Sequence, residues 1–270
     1  MADRRWIVPD WPAPLRVRSL ITTRQGGVSA GPYDSLNLGG HVGDDWRAVT
    51  ENRRRLRQSL PAAPCWLNQV HGSAVIDAGK TRTAVPTADA ALARQPGIVC
   101  GVLTADCLPV LLCERSGHAV AAVHAGWRGL HAGVLESAVA ALGVPGQQLL
   151  AYFGPAIGRT AFEVGDDVRA AFLAVNGEAA QAFKRLPVAP ETGHAKEGIV
   201  TDAGFSCGGR RSGKWLADIY MLARQALARC GVSEFYGGEF CTLQDESRFF
   251  SFRRDGVTGR MASLIWLTDE

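Results

Sequence analysis

Cys107 stands in Thr104-Ala105-Asp106-Cys107-Leu108-Pro109, with apolar runs on both sides. Seventeen residues later His124 follows Ala121-Ala122-Val123 and opens into Ala125-Gly126-Trp127-Arg128-Gly129, while His71 ends the earlier stretch Trp66-Leu67-Asn68-Gln69-Val70. Each of the three falls where a strand-like segment stops, so a sheet can bring them to one edge. Two imidazoles and a thiolate fill three positions of a tetrahedral zinc ion and leave the fourth open, as a catalytic site requires. The same atoms also make a Cys–His nucleophile pair without metal. Residue types alone leave both readings standing.

The elements that must position these side chains are legible in the spacing of apolar residues. Residues 98–103, 108–113, 119–123 and 149–153 are short apolar runs, the pattern of strands buried on both faces. Between the last two, Leu130, Val134, Leu135, Ala138, Val139 and Leu142 form one helical stripe closed by Gly143. A second helix is expected after Asp166 or Asp167, stopping near Asn176. Earlier, a strand is expected around Leu20-Ile21, then glycine-rich turns through Gly40, then a helix capped by Asp44. Residues 184–213 are poor in apolar side chains and read as a loop or insertion. Residues 215–230 read as an amphipathic helix. The end of the chain reads as a hairpin, with Phe249–Arg254 and Arg260–Leu267 turning at Asp255-Gly256.

Bulk composition narrows the partners. The chain has 270 residues, 47% hydrophobic and 20% charged, with a net charge of +3, which is too small to suggest a nucleic-acid surface. The run Arg53-Arg54-Arg55-Leu56-Arg57 reads as a solvated helix face. No apolar stretch approaches the ~20 residues of a membrane span. The seven cysteines are scattered without a C-x-x-C pair. With no signal-peptide core near the N-terminus, the expectation is a cytoplasmic protein with reduced thiols.

Other candidates fall to simpler explanations. Cys100 and Cys113 sit inside apolar runs and read as core residues, as do Cys65, Cys230 and Cys241. His131 reads as structural, and His41, His118 and His194 as surface. Gly208 to Lys214 fits a G-x-x-x-x-G-K frame, but Trp215 stands where a magnesium-binding Ser or Thr belongs. Dinucleotide, zincin and zinc-deaminase signatures are absent.

Taken together, Thr22-Thr23-Arg24, Gly26-Gly27-Val28-Ser29, Asn68-Gln69-Val70-His71-Gly72, Thr104 to Val110, Val123 to Gly129, Gly154-Pro155-Ala156-Ile157-Gly158 and Phe250 to Asp255 occur in an order that resembles the YfiH-like, or laccase-domain, proteins formerly called polyphenol oxidases. The resemblance runs from about Leu20 to Leu267. It implies an α/β (α+β) fold with mixed sheets in a four-layer α/β/β/α arrangement, also seen in a toxin-type cysteine deamidase of the CNF kind. It implies one domain over residues 1–270 and a metal site of His71, Cys107 and His124 holding zinc, with copper as the alternative. The implied activity is phosphorolysis of adenosine, inosine, guanosine and methylthioadenosine, with adenosine deamination beside it. Editing of peptidoglycan precursors by a Cys–His amidase and copper-dependent phenol oxidation are the competing activities.

On this reading Cys107, His71, His124 and Asp106 are the expected catalytic residues. Asp106 would orient a ligand histidine or protonate the departing base. Arg24, Asn68, Gln69 and Arg128 are the expected substrate contacts. Arg24, Arg128 and the turn amides after His124 would take the phosphate. The expected partners are purine nucleosides and phosphate, with no nucleic acid or membrane, and the expected state is a monomer or weak homodimer.

Overall fold

The structure is a computed structural model that describes residues 5–81, 84–187 and 213–269. Its centre is a six-stranded sheet in the order Glu234–Gly237, Leu149–Phe153, Leu108–Glu114, Val120–Ala125, Ala90–Ala93 and Val75–Asp77. A second sheet, in the order Val17–Ile21, Met261–Leu267, Val99–Thr104 and Pro64–Cys65, lies against it. A third holds Phe183–Arg185, Lys214–Ala217 and Glu163–Gly165. The molecule is thus a mixed α/β protein with several mixed sheets.

Alternation along the strands explains why the apolar runs are unbroken. In Val99–Thr104, Cys100 and Val102 face the six-stranded sheet, while Val99 and Leu103 join Leu36, Leu38, Leu56 and Leu264 on the other side. In Leu108–Glu114, Leu111 and Cys113 share the inter-sheet core, whereas Leu108, Val110 and Leu112 pack with Leu135, Val139 and Leu227 from helices. A strand with period-two side chains and two buried faces has no polar face to show. Cys100 and Cys113 are fully buried. The single helix expected from Leu130 to Leu142 is broken at Ala132-Gly133: Leu130 falls in the short helix Trp127–His131, and Val134–Leu142 is a separate helix with Gly143 at its C-terminal cap in the left-handed region.

Three further elements depart from the sequence reading. Residues 215–230 are not one helix: Lys214–Ala217 is a strand paired with Glu163–Gly165, and Asp218 starts the helix Ile219–Arg229 by accepting from the Met221 amide. The terminal hairpin is absent, because Ser251 caps a one-turn helix, Phe252–Asp255, ended by Gly256. The last strand, Met261–Leu267, instead runs between Val17–Ile21 and Val99–Thr104, distant in sequence. Finally, Asp45 rather than Asp44 caps the helix Trp46–Arg57. The expected loop 184–213 mostly lies outside the described residues, but its flanks, Phe183–Arg185 and Lys214–Ala217, pair as antiparallel strands.

Candidate metal centre

The central antiparallel pair sets two of the three donors. Its register places Leu108 opposite Ala125 and Pro109 opposite His124, so Cys107 and His124 emerge at the same end of neighbouring strands. Gly126 turns the chain there. A Cβ on it would come within 2.7 Å of the His71 ring and 2.9 Å of Cys107 Sγ, which leaves room only for glycine.

His71 arrives on a loop slung between the two sheets. Gln69 ties it to Val99–Thr104, with Nε2 donating to Leu103 O (2.8 Å) and Oε1 accepting from Leu103 N (2.7 Å). On the other side Asp89, fully buried just before Ala90–Ala93, accepts from three successive backbone amides: Val70 (3.2 Å), His71 (2.9 Å) and Gly72 (2.7 Å). These bonds hold His71 at φ 59°, a left-handed conformation that costs a side-chain-bearing residue roughly 1–2 kcal/mol. The Asp89 carboxylate also accepts from His124 Nδ1 at 2.8 Å.

The result is convergence. Cys107 Sγ lies 3.6 Å from His71 Nε2, and the donor atoms of His71, Cys107 and His124 all lie within 4.8 Å of one another. Tetrahedral zinc with a sulfur at ~2.3 Å and a nitrogen at ~2.05 Å separates those two donors by about 3.6 Å. The donor set therefore fits a metal ion. Among the described residues it is the one group of three or more His, Cys, Asp or Glu side chains so arranged.

Electrostatics bind the three together before any metal is considered. Burial pushes the Cys107 thiol up, but His124 and His71 outweigh it and bring it down to about 6. Burial likewise presses His124 down, while Cys107 and Asp89 raise it to about 9. Without metal the site therefore holds a thiolate beside an imidazolium. Cys113, by contrast, is pushed up by burial to about 12.

The three donors open into a cavity of about 460 Å³, within the range of small-molecule sites. Arg128, Arg253, Arg260 and His41 reach it, as do the rings of Trp127, Phe162 and Phe252. Each ring has an arginine over one face: Arg128 over Trp127 at 4.5 Å, Arg253 over Phe162 at 5.6 Å and Arg260 over Phe252 at 6.0 Å. Burial lowers the His41 imidazole, and Arg260 and Arg53 lower it further, so it is neutral at pH 7.

Of the other residues expected at the site, Arg128, Gln69 and Asp106 line the cavity, although Gln69 spends its amide on Leu103. Asp106 does not orient a ligand histidine. Its carboxylate accepts from Thr242 Oγ1 and from the Arg253 amide, both at 2.6 Å, and Asp89 takes the orienting place. Arg24 and Asn68 are not among the lining residues. The Arg24 guanidinium donates to Asp34 O and Glu246 O, and Asn68 Nδ2 donates to Thr87 Oγ1.

Asp89, Arg253, Arg260 and His41 were missed by sequence reasoning. For Asp89 a signal existed, since it is a lone acid in the small apolar run from Ala88 to Ala93. His41, expected at the surface, is indeed exposed, yet it lines the cavity. His131 is structural, packed edge-on against Phe172.

Fold and site together define a mixed α/β protein with a two-histidine, one-cysteine donor set at the end of its central strands. The family model for the multi-copper polyphenol oxidoreductase laccase matches residues 18–268, and the chain belongs to that family. A purine nucleoside phosphorylase of Pseudomonas aeruginosa is 53% identical over 264 residues, covering 98% of this chain and 99% of the relative. The purine nucleoside phosphorylase YfiH of Escherichia coli is 49% identical, covering 97% and 98%. Among solved structures, Neisseria meningitidis protein NMB0706 superimposes with a TM-score of 0.86 at 49% identity, covering 98% of this chain and all of that one. YlmD from Geobacillus stearothermophilus gives 0.80 at 30% identity, covering 100% and 98%.

Proposed function

We propose that the chain is a zinc-dependent purine nucleoside phosphorylase acting on adenosine, inosine, guanosine and methylthioadenosine, with adenosine deamination as a second activity. The observation that carries this reading is the meeting of the His71–Cys107–His124 donor set and the guanidinium groups of Arg128, Arg253 and Arg260 in one cavity. Phosphorolysis joins a phosphate oxygen to ribose C1′ as the bond from C1′ to the purine nitrogen breaks. The base leaves with the bonding electrons and must gain a proton. Arginines suit the phosphate, because a planar fork of donors matches its oxygens.

A zinc ion held by His71, Cys107 and His124 would supply Lewis-acid polarisation at its open position. The Asp106 carboxylate, accepting from Thr242 Oγ1 and from the Arg253 amide, fixes the Arg253 backbone at the cavity. Solvent supplies the proton that the base must gain, and neutral His41 relays it, taking a proton at one ring nitrogen as it releases one from the other. Of the three cavity rings, Phe162 is buried and Trp127 is packed against the core, whereas Phe252 is 57% exposed. Phe252 is therefore the ring on which a purine stacks. The reading carries with it a cytoplasmic enzyme whose partners are small molecules.

The test is product analysis on purified protein with inosine and with adenosine, with and without phosphate, beside metal analysis of the same sample. Hypoxanthine, adenine and ribose 1-phosphate appearing only with phosphate support the phosphorylase. Their absence sinks it. Inosine formed from adenosine decides the deaminase activity separately. The thiolate–imidazolium pair favours a second reading, a Cys107–His124 amidase acting on cell-wall precursors. That reading requires activity that survives chelators and is abolished by thiol alkylation. Copper-dependent phenol oxidation would require copper in the same site and turnover that follows copper content.

A further inference from the structure

Asp89 is the point at which the positions of both histidines are decided. It is fully buried, its carboxylate accepts from His124 Nδ1, and it also gathers the amides of Val70, His71 and Gly72. The bond to Nδ1 turns the His124 ring so that Nε2 is the nitrogen left for a ligand. The three amide bonds hold the loop that presents His71. A second bond locks the pair from behind, because the His124 backbone amide donates to Asp89 O at 2.7 Å.

We infer that Asp89 is the positioning residue of the metal centre, setting both histidine ligands at once so that the donor set is assembled before the ion arrives. The inference rests on the metal reading of His71, Cys107 and His124. An ordinary carboxylate behind a ligand histidine tunes one ligand. This one links two ligands that lie on separate chain segments, 53 residues apart. Asp89→Asn preserves the shape of the side chain, but its NH2 group must face backbone N–H groups that need an acceptor. One histidine or the other then loses its support.

Zinc affinity is the decisive measurement, by competition with a chromophoric chelator on the full chain, at a temperature where wild type and variant are both folded. Asp89→Asn is expected to weaken zinc binding about 10- to 100-fold. A purely structural role would not move this readout, and Asn52→Ser provides the comparison. Asn52 is an equally buried polar hub bonded to Val28, Ser29, Ser35 and Asn37, and its loss is expected to lower thermal stability while leaving zinc affinity unchanged.

Hydrogen exchange on metal-free wild type supplies a test that needs no variant to fold. The Val70, His71 and Gly72 amides sit on a loop where Val70 is 55% exposed, yet they are expected to exchange as slowly as strand amides. Zinc affinity of Asp89→Asn within twofold of wild type overturns the inference, and so do loop amides that exchange at unprotected rates. Wild type that binds no zinc overturns the metal reading and the inference with it.

Discussion

Among the described residues, Asp89 and Asn52 are polar hubs buried beside different sheets. Asp89 sits beside the six-stranded sheet and supports the metal donors. Asn52, on the helix Trp46–Arg57, sits outside the four-stranded sheet and closes the loops around residues 28–37. Both are fully buried, and both reach backbone groups of segments far away in sequence. They differ in charge and in what lies one bond further on. Asp89 is ionised and touches a ligand directly. Asn52 is neutral and bonds to Asn37 O, while Asn37 Oδ1 accepts from the Arg260 amide at 2.9 Å. The difference separates two tasks: the charged hub sets the groups that could hold an ion, and the neutral hub sets the backbone of Arg260, a cation that lines the cavity.

Truncation gives the largest contrast. Asp89→Ala leaves the His124 imidazolium and three amides without their acceptor, and breaking a buried charged pair costs about 3–5 kcal/mol. Asn52→Ala leaves neutral groups orphaned, at about 1–3 kcal/mol. Urea denaturation of metal-free protein should rank them in that order. Equal losses would mean that the charge at Asp89 adds nothing.

Acid sharpens the same contrast. Burial pushes the Asp89 carboxyl up, but the bonds from His124, Gly72 and Val70 outweigh burial and hold it below its ordinary 3.8. A lowered carboxyl stabilises the fold fully above its unfolded value, and that stability is lost as pH falls through the folded value. The stability gap between metal-free wild type and Asp89→Asn should therefore be constant from pH 5 to 6 (roughly one to two units above 3.8) and narrow below it. The gap for Asn52→Ala should not change over the same range. Cys107 supplies a chemical counterpart. Its thiol, brought down to about 6, should be alkylated by iodoacetamide at pH 7 in metal-free protein, well before Cys113, which is raised to about 12. Peptide mapping that finds Cys113 labelled first would contradict the thiolate–imidazolium pair.

Sequence revealed the two regions unequally, for physical reasons. The strands were legible because both faces are buried, as at Leu108–Glu114, where period-two alternation leaves no polar residue until Glu114. Cys107 and His124 were legible because each stands at the end of an apolar run, whereas the strand-like stretch expected before His71 is a loop held by Gln69 and Asp89. Short elements competing with a stronger local pattern were misread. Trp215 and Leu216 continue the stripe of the helix that follows, but Trp215 pairs with Val164 and donates through Nε1 to Asp166, and Asp218 decides where the helix begins. Phe249 and Phe250 resemble a strand, yet both are fully buried beside Met261, and Ser251 turns the chain. The side of the cavity opposite the donors was the least legible, Arg128 apart. His41, Arg253 and Arg260 come from segments that only the sheet order brings together, and no local spacing marks them.

The smallest predicted effect tests the neutral hub at its far end. Asn37 is fully buried, its Oδ1 receives the amides of Gly39 and Arg260, and its Nδ2 donates to Asp44 Oδ2 at 2.9 Å. Arg260 reaches the cavity while its own guanidinium leans on Thr258 O and Gly259 O, so its direction depends on the backbone that Asn37 holds. Asn37→Ser shortens the side chain and frees that backbone, at the cost of about one neutral hydrogen bond, ~1 kcal/mol. In the proposed phosphorylase this becomes about a fivefold rise in KM for phosphate, since 1.4 kcal/mol is tenfold. Zinc affinity should stay at its wild-type value, because no metal donor bonds to Asn37. Steady-state kinetics with phosphate as the varied substrate measures the effect. An unchanged phosphate KM would detach Arg260 from phosphate, and an equal weakening of zinc would show that the two hubs act as one.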